Sequence, residues 1–77
     1  MTYMKLRQFM NIYDNWNGVT KINDDDLNTI VAGRTLDIMY RKADFEPSAY
    51  IKDYEQLFKM KVVSFGFYDD DLCVRVR

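Results

Sequence analysis

The sequence predicts an α+β fold: a small antiparallel sheet of three to four strands ending in a C-terminal β-hairpin, with an N-terminal helix and one or two further helices packed on it. Three observations carry that expectation. Leu6, Phe9, Met10 and Tyr13 recur at the i, i+3, i+4, i+7 spacing of a helix face. Val63, Phe65 and Phe67 alternate along one segment, and Leu72, Val74 and Val76 alternate along the next, as half-buried strands do. Between these ends, Pro47-Ser48 precedes a second helical stripe of Ile51, Tyr54, Leu57 and Phe58.

The first helix is expected over about Tyr3–Tyr13, with Thr2 as N-cap and Lys5, Arg7, Gln8 and Asn11 on its wet face. Asp14-Asn15 and Asn17-Gly18 supply the turn residues that end it. Trp16 lies in that turn, where it either covers one end of the core or offers a contact to a partner. Two short strands follow, Val19–Asn23 and Leu27–Val31, joined by Asp24-Asp25-Asp26. Gly33 permits a change of direction, and Thr35 is placed to cap a helix in which Leu36, Met39, Tyr40 and Ala43 share a face, although Thr35–Tyr40 also suits an extended segment. A further helix is expected over about Ala49–Phe58, capped by Ser48.

Lys61–Arg77 forms the terminal hairpin, and its pattern selects a register. Directly opposed residues of an antiparallel pair share a face, so the two apolar rows coincide when Phe67 opposes Leu72, Phe65 opposes Val74 and Val63 opposes Val76. The connection then has an even length, either Asp69-Asp70 or Tyr68–Asp71. This register sends Phe65 and Phe67 to the core, where truncating Phe65 to alanine is expected to cost about 3–5 kcal/mol. As the C-terminal strand is expected at a sheet edge, Arg75 and Arg77 read as charges that block edge pairing, or else as contacts for an acidic partner.

With 77 residues, a single α+β domain over 1–77 is expected, and 48% hydrophobic content with a net charge of −1 argues against disorder. Balanced charge gives no overall field for nucleic acid or anionic membrane, so nucleic acid is an unlikely partner and any recognition must be local. No apolar run approaches the ~20 residues of a membrane helix, and no signal-peptide pattern opens the chain. The lone Cys73 suits a reducing compartment, which points to the cytoplasm.

Histidine is absent and cysteine single, which removes Cys–His nucleophiles, structural zinc sites and CxxC redox pairs. The carboxylate clusters Asp24, Asp25, Asp26 and Asp69, Asp70, Asp71 fall in solvated turns that offer no dry site for acid–base work. No enzyme activity, cofactor or metal is expected. Asp24, Asp26 and Asn28 match the start of a calcium loop, but Thr29 and Thr35 stand where its glycine and bidentate glutamate belong. Ser64-Phe65-Gly66-Phe67-Tyr68 echoes the RNP1 centre of RNA-recognition domains, yet the register assigns both phenylalanines to the core instead of to bases. The acidic triplets read either as solvated loops or as a mimic of phosphate spacing, the second gaining if both project from one end of the sheet. With Tyr68 and Trp16 they make up the expected partner-binding surface.

Met4 to Gly18 at one end and Val62 to Arg77 at the other resemble, in layout, short proteins of Gram-positive bacteria and their phages and mobile elements. That resemblance implies a counter-defence context, including anti-CRISPR inhibitors that bind a host nuclease stoichiometrically and need no catalytic residues. It also suggests Met4 as the native start. A homodimer paired through the C-terminal edge strand and a small nucleic-acid-binding protein are the alternatives.

Overall fold

The computed structural model describes residues 4–12, 18–47 and 51–77. Helix α1 (Leu6–Ile12) is followed by β1 (Val19–Asn23), β2 (Thr29–Arg34), α2 (Thr35–Met39), α3 (Tyr54–Phe58), β3 (Val62–Tyr68) and β4 (Asp71–Val76). The strands form one four-stranded sheet in the order β2-β1-β4-β3. The α+β class and the terminal hairpin are as expected. The sheet, however, is mixed: β1 and β2 pair antiparallel, β3 and β4 pair antiparallel, and the two hairpins join through parallel β1 and β4.

That parallel contact corrects the placement of the C-terminal strand. β4 is an interior strand and β3 the edge, so Arg75 and Arg77 do not guard an edge, and β4 has no free edge to pair across a dimer. Strand β4 is paired on both edges, with β1 on one side and β3 on the other. Its row of Leu72, Val74 and Val76 lies fully beneath the helices, and a strand so placed in a small sheet gains from neighbours on both sides.

The hairpin register is the expected one at Phe67↔Leu72 and Phe65↔Val74, around the two-residue turn Asp69-Asp70. Both turn residues have positive φ (52° and 69°), the geometry of a type I′ turn, whose twist matches that of the flanking strands. Further along, the ladder departs from strict alternation. A bulge at Val63 leaves Val62, not Val63, opposite Val76, and Val62 packs against the core.

The core lies between one sheet face and the helices. α1 contributes Leu6, Phe9 and Met10, and α3 with its approach contributes Ile51, Leu57 and Phe58. β1, β2 and α2 add Ile22, Ile30, Val31 and Ile38. Thr20 and Thr35 are buried as well, and their hydroxyls bond each other at 2.6 Å while Thr35 also donates to the Gly18 carbonyl. This explains why Thr35 does not cap α2: its oxygen is committed to β1, and the N-cap position falls on Arg34 with no side-chain bond. Gly33 is an interior residue of β2 opposite Thr20, not a corner, and the second strand runs later than expected.

The α3 helix also begins later than expected, at Tyr54. Asp53 caps it by accepting from the Gln56 N–H, and Gln56 Oε1 accepts in return from the Lys52 N–H. Asp53 and Gln56 thus form a variant of the reciprocal capping box. Ser48 and Ala49, like Thr2, Tyr13 and Trp16, lie outside the described residues. Among the described residues no helix is long and apolar enough to cross a membrane.

Candidate binding surfaces

Parallel pairing of β1 with β4 decides where the acidic turns go. Asp24–Asp26 follow the C-terminal end of β1, whereas Asp69 and Asp70 precede β4 and Asp71 is its first residue. The two triplets therefore sit at opposite ends of the sheet, with about 17 Å of strand between Asp71, the first residue of β4, and its last, Val76. They form no common acidic surface. Each also has local work. Asp24 is buried, with Oδ1 accepting from the Asp26 and Asn28 N–H groups and Oδ2 from the Asn28 side chain. Asp25 receives the Arg77 guanidinium at 2.8 Å. Asp69 and Asp70 hold the positive-φ turn, and Asp71 opposes Tyr68.

The calcium-loop match is spent in the same way, because the Asp24 carboxylate closes its own turn. Among the described residues no group of three or more His, Cys, Asp or Glu is arranged to hold a metal ion. Trp16, the remaining predicted contact, falls outside the described residues.

Strand β3 overturns the expectation for Phe65 and Phe67. Both point to the helix side, as their partners Val74 and Leu72 do, yet they are 58% and 51% exposed while those partners are buried. Phe65 meets the Phe9 ring at a centroid distance of 5.0 Å, tilted by 53°. Around that contact lies a mostly apolar groove of about 400 Å³ lined by Met4, Phe9, Val62, Val63, Ser64 and Phe65. Aromatic alternation in the sequence marked β3 as a strand but carried no sign of its edge position. The RNP1 echo fails in the structure too, because these phenylalanines lie on the helix side and not on the open face where bases would stack.

Tyr68 stands on that open face, 68% exposed. At the far side of the fold, Tyr54 donates to the Ala43 carbonyl and stacks on Phe58, and burial, reinforced by Asp44 and Asp37, pushes its phenol pKa above 10.0. No protein-family model, no curated protein and no solved structure matches the chain.

Proposed function

We propose that the chain is a non-enzymatic binding protein that acts in the cytoplasm by stoichiometric association with a host protein, docking through the aromatic helix-side surface of β3. The observation that supports this reading is the pair Phe65 and Phe67, each more than half exposed, with Phe65 lining an apolar groove. Large apolar side chains grouped at a surface characterise protein-docking sites, where aromatic anchors carry much of the binding energy. The resemblance in layout to short phage and mobile-element proteins supplies the partner class: a bacterial defence nuclease of the CRISPR effector type. The acidic triplets are not part of this surface, so mimicry of a phosphate run is not the mechanism favoured.

The test is interference in bacteria carrying an active CRISPR effector and its target plasmid. Expression of the chain should restore transformation, and replacing Phe65 and Phe67 together with serine should abolish the rescue with the circular dichroism spectrum unchanged. Rescue that survives this substitution would place the docking surface elsewhere. A failure to rescue against any effector class would remove the inhibitor reading.

A second reading has an observation of its own. From Ser64 to Tyr68, past the bulge at Val63 and the bond from the Val62 N–H to the Met4 carbonyl, β3 contains no charged residue and no proline, two devices that keep edge strands from pairing. Homodimerisation would then proceed through β3 in place of β4. Light scattering that gives a monomer mass at high protein concentration would exclude it.

A further inference from the structure

The face of the sheet turned away from the helices carries a charge pattern that the average composition conceals. Strand pairings set its rows. Arg34 lies beside Val19, Lys21 beside Cys73, Asn23 beside Arg75, and Tyr68 beside Asp71. Arg34, Lys21 and Arg75 thus lie on a diagonal, each one strand over and two residues along from the last. With strands about 4.8 Å apart and two residues advancing about 6.7 Å, each step is about 8 Å. Asp71 is the one carboxylate on these rows. Among the described residues none of the three cations has an ion-pair partner, the one salt bridge being that of Arg77 with Asp25. Arg75 Nε is shielded from solvent with no acceptor among the described residues.

The row through Lys21 is otherwise made of small residues, Ala32, Cys73 and Gly66. A shallow depression of about 240 Å³ therefore opens over Gly66 and Cys73, bordered by Tyr68, Arg75, Ser64 and Asn23. The Tyr68 ring leans across Gly66, where a Cβ would lie 3.6 Å from it. Tyr68 and Arg75 thus border the same depression, with Asp71 beside Tyr68 on β4.

We propose that this open face binds single-stranded nucleic acid, with Arg34, Lys21 and Arg75 taking phosphates in succession and Tyr68 stacking on a base. A linear polyanion complements a line of unpaired cations, and an aromatic ring beside that line is what a single strand uses and an acidic peptide does not. Net charge gave no hint of this because the fold collects five of the twelve acidic residues, Asp24 to Asp26 with Asp69 and Asp70, in turns at the two ends of the sheet, and leaves Asp71 alone on these rows. The site goes beyond the docking surface of β3 and occupies the opposite face, so the two can fail separately.

Fluorescence anisotropy with a short labelled single-stranded RNA or DNA tests the proposal, with the matching duplex and a polyglutamate peptide as competitors. Saturable binding to the single strand is expected. Three phosphate contacts give a slope of about −2 in log affinity against log salt, so affinity should fall about twentyfold between 50 and 200 mM salt. Lys21→Gln with Arg34→Gln, both exposed positions, should flatten that slope to about −0.7. Tyr68→Ala should weaken binding at every salt concentration without changing the slope. No binding at 50 mM salt, an unchanged slope in the double variant, or stronger displacement by polyglutamate than by unlabelled single strand would each overturn it.

Discussion

Strands β3 and β4 belong to one hairpin and carry equivalent apolar rows, yet β4 buries Leu72, Val74 and Val76 whereas β3 leaves Phe65 and Phe67 more than half exposed. Alternation and register are shared, so neither explains the difference. Position does: β4 has β1 on its other side and lies beneath the helices, while β3 is the outer strand, meeting α1 through the Phe9–Phe65 contact. An apolar row in a strand is thus a claim about periodicity, and whether it becomes core or docking surface is settled by what lies next to the strand.

The largest effect that tests this contrast is expected in β4. Leu72→Ala should lower unfolding free energy by about 3 kcal/mol, since it leaves a cavity in a fully buried layer. Phe65→Ala, first expected to cost 3–5, should cost about 1 kcal/mol, the scale of one aromatic pair at a half-open site. Urea denaturation of both variants measures the gap, and equal losses would mean that β3 is as much core as β4.

The two acidic turns allow a similar contrast at lower cost. Asp24→Ala strips an acceptor from two backbone N–H groups and should destabilise by about 2 kcal/mol. Asp70→Gly relieves a positive φ that glycine adopts freely, and should stabilise by about 0.5 kcal/mol. Thermal melts of the two variants shifting in opposite directions would confirm that one triplet closes a turn and the other strains one.

The smallest effect is a pH dependence. Tyr54 has a folded-state pKa above its unfolded value of 10.0, so the fold binds its proton more tightly than the unfolded chain. Its contribution is complete below pH 10 and is lost as pH rises through the raised value. Stability of the parent should therefore fall more steeply above pH 10 than that of Tyr54→Phe, as read from denaturation midpoints at several alkaline pH values.

Much of the fold was legible. The buried stripes Leu6, Phe9, Met10 and Ile51, Leu57, Phe58 follow helical spacing, and the Phe67↔Leu72 register follows from parity alone. Helix α3 was misplaced at its start because Pro47-Ser48 looked like a helix entrance, while Asp53 and Gln56 three residues apart carried the true capping signal. The candidate surfaces were far less legible. Of the residues first expected to bind, Tyr68 stands out on an open face with Asp71 beside it, and the other acidic residues lie in turns, Asp25 with an ion pair.

By itself the sequence determined the periodicities, the hairpin register beside the turn and the even-length turn, because these depend on residues close in the chain and on side chains alternating between faces. The tertiary structure alone decided that β1 and β4 pair in parallel. That long-range contact between residues some fifty positions apart places β3 at the edge, sends the acidic turns to opposite ends and lines up Arg34, Lys21 and Arg75 across one face. Strand order depends on how separate hairpins bury their apolar rows together, and no local pattern encodes it.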